Sequence, residues 1–126
     1  MGRAIVKANQ DDGTYILWST VVDGPLMWGT RKQFIKHAKK RREPQLEWPI
    51  EPYLDRADAT SCSDRAFTHS WEDDEQYNWF GLGYIRRSQL MDACHILYKS
   101  SENDPRILAM LEKFDFGEDS DEANNS

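Results

Sequence analysis

The sequence has only two cysteines in 126 residues, Cys62 and Cys94. Two isolated thiols cannot build the disulfide framework of a small secreted domain. The Met-Gly-Arg-Ala start carries no apolar core of the kind a secretion signal needs. Reduced thiols in a cytoplasmic compartment are therefore the expectation. Long apolar runs are missing as well. None approaches the roughly 18 residues of a spanning helix, so no membrane partner is expected. Close-spaced ligand pairs such as Cys-x-x-Cys are absent, and there is no internal repeat. What is present is aromatic: 12% of the chain, including five tryptophans. That is too much for a disordered chain and enough to fill one small core. A single globular domain is expected over residues 1–116. Residues 117–126 are acidic, lack large apolar side chains and read as a disordered tail.

Charge of one sign is scarce in each half. The formal net charge is −6, but residues 1–50 hold nine Lys/Arg against five Asp/Glu, while residues 51–126 hold seven against seventeen. Positions 31–42 contain seven basic residues and no acid. Such asymmetry marks either a binding surface or two charged faces that pair with each other.

The best strand signal is Tyr15-Ile16-Leu17-Trp18-Ser19-Thr20-Val21-Val22, rich in aromatic and β-branched residues. Asp12-Gly13 is a hairpin turn signal, which predicts antiparallel strands over 3–9 and 14–22. Ile16 and Trp18 share one face, Tyr15 and Leu17 the other. With both faces apolar, the strand should be covered on both sides. Gly24-Pro25 reads as its stop. Thr30 and Gln33 fit a capping box that opens a helix, which Pro44 ends. Phe34, Ile35 and Ala38 form its narrow apolar stripe. Residues 44–52 read as an extended connector, and a short helix follows over 52–59. Ser70 is placed to cap another short helix through Glu75. Residues 78–85 read as a loop or a third strand near 82–85. Ser88 caps a helix reaching Tyr98, and Asp104-Pro105 opens the last one, with Ile107, Leu108, Leu111 and Phe114 at helical spacing. The expected fold class is α+β: an N-terminal antiparallel β-hairpin, extended to three strands if 82–85 joins it, packed by three to four helices.

Candidate chemistry is thin. Cys62 and His69 are seven apart, and Cys94 and His95 are adjacent, so neither pair chelates one ion easily. No metal site and no cofactor are expected. Cys62 with His69 lacks the surroundings a catalytic thiolate requires. The run Glu72-Asp73-Asp74-Glu75 does not converge on one point, as paired catalytic carboxylates must. An enzyme is not expected. Two binding surfaces stand out instead. One is the basic helix, with Lys32, Lys36, Lys39, Lys40, Arg41 and Arg42, suited to phosphates or to an acidic patch on a protein. The other joins Trp79 and Tyr84 to Arg86 and Arg87, an aromatic platform with arginines that could hold a base and its phosphate. Core filling is the competing role for those aromatics.

The segments Tyr15-Ile16-Leu17-Trp18-Ser19-Thr20-Val21-Val22-Asp23-Gly24-Pro25 and Leu54-Asp55-Arg56-Ala57-Asp58-Ala59-Thr60-Ser61-Cys62-Ser63, with Trp71 and Asn78, resemble small accessory proteins of tailed bacteriophages. Those proteins combine a Trp-Ser-Thr-Val-Val-Asp-x-Pro strand with a later Arg-Ala-Asp turn. The resemblance spans roughly residues 15–80. It departs from the pattern at Ser61, where a glycine is expected. It implies a phage or prophage origin and a host-cell cytoplasmic location, and it carries no activity. By analogy with small phage accessory proteins, the resemblance implies binding to a host protein, for host takeover or anti-defence. The alternative is a nucleotide or nucleic-acid binder, including one that sequesters a signalling nucleotide.

Overall fold

The computed structural model describes residues 3–41, 50–64 and 69–113. Its architecture is α+β. Three strands, β1 (Arg3–Val6), β2 (Thr14–Ser19) and β3 (Gly24–Thr30), form an antiparallel sheet in the order β1-β2-β3. Two helices follow, α1 (Arg31–Arg41) and α2 (Glu51–Thr60). A second, two-stranded sheet pairs β4 (Gln76–Asn78) with β5 (Tyr84–Arg86). A 3-10 turn at Arg87–Gln89 leads into α3 (Leu90–Lys99), and α4 (Pro105–Leu108) closes the described chain.

Alternation along β2 decides the layering. Ile16 and Trp18 enter one core with Ala4, Val6, Trp79, Ile85, Leu90, Ala93, Cys94 and Ile107. Tyr15 and Leu17 enter the other with Ile5, Phe34, Ala38, Leu54 and Ala57. The sheet is thus covered on both faces, by α1 and α2 on one side and by the 76–113 segment on the other, as the two-faced apolar pattern predicts. Aromatic edges fill the core around Ile16 and Trp18. Trp18 meets Tyr77 at 5.2 Å between ring centroids, and Trp79 meets Phe80 at 5.1 Å. Contacts of this kind contribute about 1 kcal/mol each beyond simple burial.

The helix start at Thr30 forms as its sequence predicts. Gln33 N–H donates to Thr30 Oγ1 at 3.2 Å, and Thr30 N–H donates to Gln33 Oε1 at 2.8 Å. The sheet differs from expectation in its third strand. Gly24-Pro25 does not end the sheet but begins β3, and β2 stops at Ser19 rather than at Val22. Proline is tolerated here because β3 is an edge strand and needs only one bonded side. Residues 82–85 do not join that sheet; β5 pairs with β4 instead.

Four further expectations are corrected. Residues 70–75 form a turn, not a helix. The carbonyls of Ser70 and Asp73 accept hydrogen bonds from the Arg87 guanidinium, which takes them away from any helical ladder. Ser88 does not cap α3: its N–H and hydroxyl donate to the two Asp74 carboxylate oxygens. The helix after Asp104 ends at Leu108, because the chain turns so that Glu112 and Tyr84 exchange backbone hydrogen bonds at 2.8 Å. Asp104 still caps it, accepting from Arg106 N–H at 2.8 Å. Of the connector expected over residues 44–52, Glu51 and Pro52 instead open α2, where proline needs no donor, and 44–49 lie outside the described residues, as do Phe114 and the acidic tail.

The two edges of the main sheet are treated differently. Beside β1, Lys7 N–H donates to Ser61 O, Ser63 N–H to Ile5 O, and Ile5 N–H to Ser63 Oγ. Residues 61–63 therefore close that edge. Ser61 reaches this position from a left-handed backbone at φ 88°, a conformation that favours glycine. No strand among the described residues pairs with the outer edge of β3.

Candidate functional site

Helix α1 presents two unlike sides. Phe34 and Ala38 are buried under the sheet. Lys32, Lys36 and Lys39 follow i, i+4, i+7 spacing, so they share a face, and all three are exposed. They make no ion pair among the described residues. Lys40 and Arg41 complete the last turn of the helix, and Arg42 lies outside the described residues. Among the described residues the lysine row is thus an unpaired positive strip, on a chain whose total charge is negative.

The first residue of the helix is spent differently. Arg31 Nη2 meets Asp55 Oδ1 at 2.6 Å, and its Nη1 meets Asp58 Oδ2 at 3.4 Å. Asp58 is the hub of this cluster. Its Oδ1 accepts from Lys7 Nζ at 2.8 Å and from the Tyr15 hydroxyl at 2.7 Å. Burial pushes the Asp58 carboxyl up, but the hydrogen bonds from Lys7 and Tyr15 and the charges of Lys7 and Arg31 outweigh it. The carboxyl is held below the usual carboxylate range. Tyr15 moves the opposite way, raised by burial and by its bond to the Asp58 carboxylate. The basic and acidic halves of the chain therefore do pair, with Arg31 and Lys7 among the points of contact. Nothing in the spacing of Asp55 and Asp58 alone announces this cluster; the signal is their shared face on α2 combined with the hydroxyl of Tyr15.

The second expected surface is dispersed by the fold. Trp79 is fully buried, and its indole N–H donates to Glu102 O at 2.9 Å. It is a core residue, not a platform. Arg87 is 5% exposed and donates to the backbone carbonyls of Ala8, Ser70 and Asp73. Its guanidinium also stacks 4.8 Å from the Trp71 ring centre. It ties the end of β1 to the 70–75 turn and has no face left for a ligand. Arg86 is exposed, but its guanidinium binds the Glu112 carboxylate at 3.0 Å and Asp74 O at 3.2 Å. Tyr84 is half-buried in β5.

The thiols and histidines read as structure. Burial pushes the Cys62 thiol up to about 11 and the Cys94 thiol up to about 12. Neither is a nucleophile at neutral pH in this setting. Burial also raises the Tyr77 hydroxyl beside Cys62. His69 Nδ1 lies 2.8 Å from Glu75 Oε2, and Ser61 Oγ donates to Glu75 Oε1 at 3.3 Å. No group of three potential metal ligands comes together among the described residues. Among the same residues no helix is long and apolar enough to cross a membrane. No family model, curated protein or solved structure matches the chain.

Proposed function

We propose that this chain is a non-enzymatic binding protein of the phage accessory type, and that its working surface is the lysine row of α1. Its target is an acidic patch on a host protein, engaged in the host cytoplasm for takeover or anti-defence. The observation that supports this reading is the exposure of Lys32, Lys36 and Lys39 with no ion pair among the described residues, on the same helix whose Arg31 is engaged by Asp55 and Asp58. Uncompensated charge in a row is a means of steering and orienting an oppositely charged partner. A protein patch fits better than a nucleic acid. The net charge of −6 repels an extended polyanion, and the aromatic platform that would stack bases is not formed.

The test compares immobilised wild type with a Lys32→Glu, Lys36→Glu, Lys39→Glu variant in host lysate at low salt, with bound material identified by mass spectrometry. The expected result is one protein retained by wild type and lost by the variant. Equal retention by both removes α1 from the account. Retention of nucleic acid or nucleotide by wild type, in place of a protein, supports the phosphate-binding alternative instead.

A further inference from the structure

We infer that Phe114-Asp115-Phe116, the three residues after Lys113, dock as an extended strap in the shallow groove between β3 and α3. The groove has a volume of about 270 Å³ and is lined by Leu26, Met27, Trp28 and Tyr98. None of these side chains is charged. Tyr98 is 78% exposed and Leu26 42%, so two large apolar side chains stand side by side in water. This site goes beyond the lysine row. Helix α1 packs through Phe34 and Ala38 on the Tyr15 and Leu17 face of the sheet, whereas Trp28 borders the core on the Ile16 and Trp18 face.

The described chain ends on the same face as the groove and runs toward it. Leu111 and Trp28 both pack against the core around Ile16 and Trp18. An antiparallel bridge joins Glu112 to Tyr84, with backbone hydrogen bonds of 2.8 Å in both directions. Antiparallel partners run oppositely, so beyond Glu112 the chain proceeds toward Gly83 and away from Ile85. Gly83 belongs to the turn that leads to β3. Its carbonyl accepts from Trp79 N–H at 2.8 Å, and Phe80 N–H donates to Asp23 O at 2.7 Å. The Phe80 ring lies over Gly24, where an added Cβ would collide with it. Gly24 opens β3, and Leu26 is two residues further on. Three extended residues span about 10 Å, or about two strand spacings, which is the scale of the step from the Glu112 bridge across this turn.

The sequence of the strap identifies it as the occupant. Phe114 and Phe116 are the last large apolar residues of the sequence. At alternate positions of an extended chain they point to one side, and Asp115 points to the other. Two phenylalanines facing Leu26, Met27, Trp28 and Tyr98 bury apolar surface on both partners. They also offer ring edges to the Trp28 and Tyr98 rings and a ring to the Met27 sulfur.

Nuclear Overhauser contacts measured on the full chain, with the Met27 methyl and the aromatic rings selectively labelled, test this. The expected result is contacts from the Met27 methyl and the Tyr98 ring to the rings of Phe114 and Phe116. A Phe114→Ala, Phe116→Ala variant should lose them, move the Met27 methyl resonance and bind more of an apolar fluorescent dye. Tyr98→Asp, on the exposed side of α3, should release the strap in the same way while both phenylalanines are kept. A Met27 methyl with no contact to either ring, and a resonance unmoved by the double alanine variant, overturns the inference. Contacts that arise only between differently labelled copies, and fade on dilution, assign the groove to a second copy and overturn it equally.

Discussion

Asp58 and Arg87 look alike in sequence, as single charged residues among many, but their environments give them different weights. Asp58 is bonded by Lys7, Tyr15 and Arg31, yet its side chain remains 39% exposed. Solvent screening limits its contribution to about 1 kcal/mol or less. Because the folded carboxyl lies below its unfolded value, the unfolded chain binds the extra proton first as pH falls. The contribution is present above the unfolded value near pH 4 and is lost as pH drops through the folded one. Asp58→Asn should therefore lower stability slightly at pH 7 and flatten the acid limb of a stability-against-pH curve measured by urea unfolding. An unchanged acid limb would mean that the cluster carries no linkage.

Arg87 is the opposite case. It is almost wholly buried, and its partners are mainly the backbone carbonyls of Ala8, Ser70 and Asp73. Removing it strands buried acceptors, which costs about 3–5 kcal/mol. Arg87→Ala should shift the unfolding midpoint by that amount or prevent folding. Arg87→Lys should rescue it only partly, since an ammonium cannot reproduce the planar fork over Trp71.

At the scale of elements, local chemistry decided what could be read from sequence. The capping box at Thr30 and Gln33 is a short-range pattern, and it forms where expected. Thr30→Ala should cost about 1 kcal/mol in chemical denaturation, through fraying of α1 rather than loss of the core. The two-sided burial of β2 was legible because apolar residues occupy both of its faces. Strand β3 was not legible. Gly24 and Pro25 are stop signals in isolation, and only the edge position beside β2 makes them acceptable. The failed helix at 70–75 has a similar origin. Ser70 and the acids after it suit a helix start, but Arg87, far along the chain, claims the carbonyls such a helix would use. Trp79 was the central ambiguity of the candidate site, since an aromatic near glycines and arginines fits a platform as well as a core. Its hydrogen bond to Glu102 and its packing on Trp18 are long-range facts with no local signature.

On the scale of the whole molecule, the net charge resolves into an arrangement. Arg31 and Lys7 join the basic part of the chain to the acidic face of α2, while Lys32, Lys36 and Lys39 make no ion pair among the described residues. Among the described residues, 61–63 close one sheet edge and no strand pairs with the other. Substitution on the lysine row should leave folding untouched, because exposed charges away from caps and cores change stability by about 0.5 kcal/mol or less.

The most direct measurement is the dissociation constant of the protein partner captured from host lysate, taken for wild type and for the Lys32→Glu, Lys36→Glu, Lys39→Glu variant over a range of salt. If α1 is the working surface, wild-type binding weakens steadily as salt rises. The variant then binds about tenfold or more weakly at low salt while its unfolding midpoint is unchanged. Equal affinities with the same salt dependence would contradict the account.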